Sequence, residues 1–427
     1  MLAAALTDKL KALLPDPASR FAIAYSGGGD STALLHALKG HPQLKAVYIV
    51  DHNLRTGSRA EAEQSRDFAK GLGLNVQILT WDNQGVTSAI QERARTARYA
   101  LMSAACREAG IEYLLTGHHQ DDQAETLFMR FDKNTGWRGA AGIAEMSYAP
   151  IWPQMALVTI ARPLLETSRA DLQTYNRQHG LSWAEDPSND NTDFERVRAR
   201  QYLAGRPHMR RDLLEAQSDM QAGLKEERLY LAKFLRDHVK INEHGIITVC
   251  ELCPPQLLIH LLRAASGEGR QICRNKVARL LEFMGTARFT SATLGGALIR
   301  RNPSEKGFIL CRDLVAVTGR KDNNIAPLNL HKQFTDKPQI WDGRYVFHGP
   351  SGYSLDSAHA AREQMSEMDV KRLRDHPAAV RQTLPVVMKD GEIIAIGGQE
   401  VDESGPYSLK SLIKPRLDAT VGKDLTP

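Results

Sequence analysis

Residues 21–31 read Phe21-Ala22-Ile23-Ala24-Tyr25-Ser26-Gly27-Gly28-Gly29-Asp30-Ser31. A short apolar run, three consecutive glycines between serines, and then a segment carrying Leu34, Leu35, Ala37 and Leu38 spell a buried strand, a tight turn and a helix start. Glycines let the backbone take positive φ and approach a ligand with no Cβ in the way. The helix start adds unpaired N–H groups and partial positive charge, so the turn suits phosphate. The hydroxyls of Ser26 and Ser31 are further donors. A Walker A loop would carry a lysine for the β/γ-phosphates. Asp30 stands near that place instead, and an acid beside phosphates calls for a divalent cation between them. The plainer reading is a glycine-rich turn in an α/β sheet.

Outward from this turn, strand and helix alternate. Leu44–Val50 reads as a second strand ending at Asp51-His52, Ala60–Leu72 as a helix, Asn75–Leu79 as a third strand, Ser88–Ala109 as a helix and Glu112–Thr116 as a fourth strand. Such alternation predicts a doubly wound parallel sheet, with ligands beyond the carboxyl ends of the strands. Ser26, Asp51 and Gly117-His118 each follow a strand and so converge there. From about Arg206 the texture changes to a long charged helix over Leu213–Lys240, helices at Pro254–Ala265 and Arg274–Met284, and a hairpin of Thr293–Arg301 with Phe308–Asp313. Arg320–Asp336 is polar and reads as a linker before a small α+β part. The expected division is residues 1–205, 206–320 and 327–427.

A chain of 427 residues has room for two or three domains. A formal charge of +5 is compatible with RNA without requiring it. No apolar run approaches the ~18 residues of a membrane span, and Asp8 and Lys9 interrupt the start too early for a secretory signal. Five cysteines in so long a chain do not suggest a disulfide scaffold, so a cytoplasmic protein is expected. Cys250 and Cys253 form a CxxC that can ligate metal, but no second pair matches it and both read as partly buried bystanders.

Gly117-His118-His119-Gln120-Asp121-Asp122-Gln123-Ala124-Glu125-Thr126 packs two histidines and three carboxylates together. On a helix starting near Gln120, Asp121 and Glu125 are four apart and Asp122 and Glu125 three apart, so they share a face and repel. A bound cation or an ammonium group would relieve that repulsion. The spacing is not H-E-x-x-H, so zinc hydrolysis is unsupported. Asp51-His52-Asn53-Leu54-Arg55 suits a nucleotide or merely caps a turn. Arg93, Arg95 and Arg98 with Tyr99 lie on a predicted helix, Arg162-Pro163 opens a rigid loop, and Glu185–Asn189 leads to Arg196, Arg198 and Arg200, which suit RNA phosphate or a solvated face.

These motifs together carry a resemblance. Ser26–Ser31 is similar to the SGGxDS loop of the N-type ATP pyrophosphatases. Asp51-His52, Arg95–Tyr99, Gly117–Thr126, Arg162–Leu165 and Asp186–Asn189 follow in the order seen in the tRNA(Ile)-lysidine synthetase family. The motif match covers roughly residues 20–200. Lys133-Asn134-Thr135-Gly136 departs from the family's RGSG loop, and Arg196-Val197 replaces an RN pair.

The resemblance implies a Rossmann-like PP-loop ATPase followed by a mostly helical domain and a small α+β C-terminal domain. It implies ATP and Mg²⁺, free lysine, and an isoleucine tRNA with a CAU anticodon; a homodimer stays open. The ATP site would comprise Ser26, Gly27, Gly28, Gly29, Asp30, Ser31, Asp51 and His52. Asp30, His118, Asp121, Asp122 and Glu125 would be catalytic, with Asp30 and Asp121 on the metal. Arg98, Arg162, Arg196 and Arg200 would meet substrate or tRNA. A tRNA thiolase on the same domain and a non-catalytic nucleotide or RNA binder are the alternatives; only Cys106 lies in the first 200 residues, where a thiolase of the cluster-bearing kind needs paired cysteines.

Overall fold

A computed structural model describes residues 2–54, 57–84, 88–133, 135–184, 192–242, 244–303, 305–319, 327–397 and 405–421. The expectations placed on Arg55, Asn134, Glu185–Asn189 and Arg320–Asn324 lie outside the described residues. The chain forms two compact units, Met1–Glu226 and Glu227–Pro427.

In the first unit, helix α1 (Leu2–Leu13) precedes strand β1 (Phe21–Ala24), α2 (Gly29–Leu38), β2 (Leu44–Asp51), α3 (Ser58–Gly71), β3 (Val76–Thr80), α4 (Ile90–Glu108) and β4 (Tyr113–Leu115). Then come α5 (Gln120–Asp132), α6 (Gly136–Ala140), β5 (Met146–Tyr148), β6 (Thr159–Ala161), α7 (Arg169–Gln178), α8 (Glu195–Ala204) and α9 (Pro207–His238), within which the unit ends. The expected strands and helices are present with small shifts of their ends. Ser168 caps α7 by accepting from the Asp171 N–H, as the sequence predicts for a serine before a helix.

Among the described residues the sheet has strand order β3-β2-β1-β4-β6-β5. The β1–β2, β2–β3, β1–β4 and β4–β6 pairs are parallel and β5 runs antiparallel to β6. Phe21, Ala22 and Ile23 are fully buried, as expected of a strand covered on both faces. Leu6 and Leu10 of α1 join Phe21, Leu34, Leu35 and Leu172 in one cluster, so helices cover this strand. The chain builds outward from β1 through β2 to β3, then crosses to β4 on the other side. That reversal opens a crevice beyond the ends of β1 and β4, and the glycine turn lies in it.

In the second unit, β7 (Val239–Ile241), β8 (Ile247–Val249), α10 (Pro255–Ser266), α11 (Arg274–Met284), β9 (Ser291–Leu294), β10 (Ala297–Arg301) and β11 (Phe308–Arg312) come first. The expected hairpin is β10–β11, and it belongs to a larger antiparallel sheet of order β7-β8-β11-β10-β9. Helix α12 (Leu314–Thr318) follows, then β12 (Lys332–Gln333), β13 (Gln339–Trp341), β14 (Tyr345–His348), β15 (Tyr353–Ser357), α13 (Glu367–Asp375), β16 (Pro385–Lys389), β17 (Glu392–Ile396), β18 (Ser408–Ser411) and α14 (Ile413–Val421). Ile413, Leu417 and Val421 of α14 share a core with Leu257, Leu261 and Leu310. The end of the chain thus returns to the earlier part of its unit; the finer division near residue 320 stands as a proposal.

A buried ionic knot joins the end of β11 to the turn between β13 and β14. Asp342 accepts from Arg312 Nη2 at 2.9 Å and from Arg344 Nε at 2.8 Å, and all three side chains are at most 3% exposed. Arg344 Nη2 also donates to the Thr383 carbonyl at 2.7 Å. Removing the acid leaves buried Arg344 without its carboxylate and Arg312 with only Glu268, 3.8 Å away. Asp342→Ala should therefore cost on the order of 3 kcal/mol; urea unfolding followed by tryptophan emission measures it, and a loss below about 1 kcal/mol would contradict the knot's role.

Candidate functional site

The turn after β1 is shaped by its glycines and its serines. Gly27 has φ +78°, a backbone conformation that strains any other residue, and a Cβ there would also force Ser65 Oγ, 2.5 Å away, to rotate. Gly28 is extended and caps α2. The bond from Thr32 N–H to the Gly28 carbonyl, at 3.0 Å, is the first of that helix. The N–H groups of Gly29, Asp30 and Ser31 therefore have no intrahelical acceptor and stand at the positive end of the helix. Ser31 Oγ donates to the Gly28 carbonyl at 2.9 Å and lies 3.1 Å from Ser26 Oγ. The two hydroxyls brace the turn as well as lining it.

The segment after β4 forms the opposite wall. A Cβ on Gly117 would come within 3.1 Å of Ser31 N and 3.2 Å of the Asp30 carbonyl carbon. Only a glycine lets these backbones pass so closely. His119 is buried, with Nε2 3.4 Å from Asp30 Oδ2 and 3.6 Å from Asp122 Oδ2. Burial opposes its charged form, but the hydrogen bond to Asp30 and the fields of Asp122, Asp30 and Asp121 outweigh burial and raise its pKa. Burial alone would raise the Asp30 pKa; the His119 hydrogen bond and charge, with Arg169 and Arg200, bring it below the usual carboxylate value. His118 is the reverse case. Its Nδ1 lies 2.7 Å from Thr116 Oγ1, and burial together with Arg162, Arg196, Arg95 and Arg98 pushes its pKa down to about 3. The site thus raises the pKa of one histidine and lowers that of its neighbour.

The acidic face of α5 has an intrinsic counter-charge that spacing could not show. Asp121 Oδ1 meets Arg210 Nη1 at 2.8 Å, and its Oδ2 accepts from the Arg169 N–H at 2.8 Å. Asp122 meets Arg196 Nη2 at 2.8 Å and accepts from the His119 N–H at 2.9 Å. Glu125 is 3% exposed between Arg196 Nε at 2.8 Å and Arg200 Nε at 2.7 Å. The sequence alone points to a bound cation or an ammonium group to relieve this repulsion; in the structure arginines of α8 and α9 already pair with these acids. With Arg95, Arg98 and Arg162 nearby as well, the surroundings of the turn favour anions.

Other expected residues take varied places. Asp51 is buried, and its Oδ1 accepts from the Asn53 N–H and Ser58 Oγ at 2.9 and 2.8 Å, which is the turn-capping arrangement. His52 lies beside it with Nδ1 enclosed and without a hydrogen-bond partner; burial and Arg98 lower its pKa against the pull of Asp51. Arg162 is turned inward, donating to the Ala144 carbonyl at 2.6 Å and to Ser147 Oγ at 2.9 Å. With the residue only 6% exposed, Arg162 offers little surface to a substrate or tRNA, against the expectation placed on it. Arg98, Arg196 and Arg200, with Met129 and Phe194, line a cleft of about 810 Å³. Arg98 Nε is enclosed there without a partner. In the departing loop, Lys133 Nζ meets Glu195 at 2.5 Å; beyond it Gly142 has φ +73°, and a Cβ there would fall 2.5 Å from Gln123 Oε1.

Asn176, Trp183 and Ser65 touch the glycine turn and carry no motif signal, since their contacts come from distant segments. For a divalent cation the fit is narrow. Among the described residues no group of three or more His, Cys, Asp or Glu side chains forms a metal site. Both oxygens of Asp121 already have a partner, Arg210 and the Arg169 N–H, so a metal there would have to share them. Asp30, whose side chain is 33% exposed beside the turn, fits a magnesium ion that takes one carboxylate with phosphate and water oxygens.

A glycine turn on a helix start at the reversal point of a parallel sheet defines a PP-loop nucleotide-binding protein, and the PP-loop domain model matches residues 2–206. The chain is 37% identical to the tRNA(Ile)-lysidine synthase of Hyphomonas neptunium over 65% of this chain and 77% of that one. It is 30% identical to that of Brucella anthropi over 87% of this chain and 84% of the other. With that of Caulobacter vibrioides the identity is 30% over 97% of both chains. The chain belongs to the tRNA(Ile)-lysidine synthase family and is an ATP-using enzyme. Among the described residues no helix is long and apolar enough to cross a membrane.

The His119–Asp30 pair carries a pH signature. The raised His119 pKa gives stability that is complete below its unfolded value of about 6.5 and is lost as pH rises through the folded pKa. The lowered Asp30 pKa gives stability present above about 3.9 and lost as pH falls through its folded value. The stability difference between wild type and His119→Gln should peak between these limits and shrink on the alkaline side. Thermal unfolding from pH 4 to 10 tests this; a difference independent of pH contradicts the pair.

Proposed function

We propose that this chain joins free lysine to C2 of the wobble cytidine of the isoleucine tRNA whose anticodon is CAU. In the first step the C2 oxygen attacks the α-phosphorus of ATP and pyrophosphate leaves. In the second, the lysine side-chain amine attacks C2, the bond to the oxygen breaks, and that oxygen departs on AMP. The adenylation is needed because a pyrimidine carbonyl oxygen is a poor leaving group and a phosphate ester oxygen a good one.

The observation that carries the reading is the juxtaposition of the free N–H groups of Gly29–Ser31 with the paired acids and arginines of α5 and α8. Those N–H groups and the hydroxyls of Ser26 and Ser31 suit the growing charge of the departing pyrophosphate. A magnesium ion held through Asp30 would supply charge neutralisation on the phosphates. The cleft beside Arg98 has Phe194 and Met129 as apolar surface and guanidiniums as donors, which suits an unstacked pyrimidine. Asp122 and Glu125 are the acids placed to receive the lysine ammonium, which enters by sharing their arginine-bound oxygens.

The two histidines suit positioning better than proton removal. A base works best with a pKa near the operating pH; His118, pushed to about 3, is too weak, and Asp30, 3.4 Å from His119, favours that ring's protonated form over proton uptake from substrate. The amine's proton then leaves to an α5 carboxylate or to solvent.

Incubation of CAU-anticodon isoleucine tRNA with labelled lysine and ATP should yield labelled tRNA with one AMP and one pyrophosphate released per lysine. No incorporation by folded protein contradicts the proposal. Asp30→Ala should reduce ATP–pyrophosphate exchange by about a hundredfold or more; near-normal exchange would remove Asp30 from the mechanism.

A further inference from the structure

We propose that Asn176 and Trp183 are positioning residues that hold the glycine turn in the form that receives the triphosphate. The inference rests on the reading of that turn as the ATP site. A turn of three glycines has many accessible conformations, and a site that binds tightly must restrict them beforehand. Gly117 and the two serines restrain the inner side. The outer side is gripped by the stretch from the end of α7 to Ala184.

Asn176 is fully buried on α7, and its Nδ2 donates to the Gly29 carbonyl at 2.9 Å. The neighbouring Tyr175 hydroxyl lies 2.9 Å from His36 Nδ1, which ties α7 to α2 one step away. The chain then folds back, with the Leu181 N–H bonded to the Asn176 carbonyl at 2.9 Å and the Ala184 N–H to the Gly27 carbonyl at 3.0 Å. Between those two bonds the Trp183 indole lies 3.3 Å from where a Gly29 Cβ would stand. The carbonyls of Gly27 and Gly29 and the bare α-carbon of Gly29 are thus all engaged from one side, while the N–H groups of Gly29–Ser31 remain for phosphate.

Asn176 Oδ1 is enclosed and has no hydrogen-bond partner. A buried polar atom left unpaired is a standing cost, which a leucine at this place would avoid. The amide earns its place through the donor it presents to Gly29. Aspartate has the same shape and no such donor.

The test uses the full chain with four measurements: ATP affinity by calorimetry, tRNA affinity by filter binding without ATP, thermal stability, and tryptophan emission on adding ATP. N176D and W183A should weaken ATP binding tenfold or more and leave tRNA affinity within twofold. W183F, which keeps a flat ring, should recover most of the ATP affinity. ATP should also change the emission of the wild type, and that change should be largely lost in W183F although four other tryptophans remain. ATP binding by N176D and W183A within twofold of wild type overturns the proposal. So does an equal loss of ATP and tRNA binding accompanied by a fall in thermal stability, which marks a general structural role. If both variants fail to fold, an emission change undiminished in W183F overturns it. Failure of the wild type to bind ATP is a different outcome, and removes the reading of the turn itself.

Discussion

Where β1 and β4 lie side by side, the segments that follow them pass at backbone distance. Gly117 has no side chain to hold it away from Asp30 and Ser31, and His119, two residues on, reaches Asp30. Nearly everything else in the site follows from that approach. It sets α5 with its N-terminal acids facing α2, and it places the neutral His118 under the arginines. A side chain at position 117 would press on the backbone of Asp30 and Ser31 at 3.1–3.2 Å and require the start of α2 to give way.

The electrostatics of the site are decided by pairing. Four carboxylates, Asp30, Asp121, Asp122 and Glu125, would destabilise one another in a low-dielectric crevice. Each has instead a basic partner within 3.4 Å: His119, Arg210, Arg196, and for Glu125 two arginines. Such pairs fix geometry more than they add stability, because desolvation offsets much of the attraction. Their value here is that the acids are held in fixed orientations beside the glycine turn. The arginines of α8 thereby hold the acidic helix while also bordering the cleft beside Arg98 and Phe194.

Much of this was legible in the residues. The β1–turn–α2 unit declared itself through a local change of periodicity and three glycines, and the alternation that follows determines the sheet. The positions of Asp121, Asp122 and Glu125 on one helical face follow from helix geometry alone. What could not be read is where their partners come from. Arg196 joins Glu125 across 71 residues of chain, and Asn176 joins Gly29 across 147. Tertiary packing of α8 on α5 and α7 on α2 makes those contacts, and no local pattern encodes them. Arg162 misled for a related reason: an arginine beside a proline suggests an exposed loop, whereas here its guanidinium satisfies buried groups. In the second unit the helices were visible, but the return of α14 to an earlier core depends on contacts between the ends of the unit.

The central claim is that the peptide N–H groups opening α2 hold a phosphate. Amide hydrogen exchange of the intact protein, with and without ATP, reads those groups directly. ATP should slow exchange across residues 28–31 by about tenfold or more, while the far ends of α2 and α5 change little. Unchanged exchange across 28–31 at saturating ATP, with protection appearing elsewhere in the chain, would contradict the account.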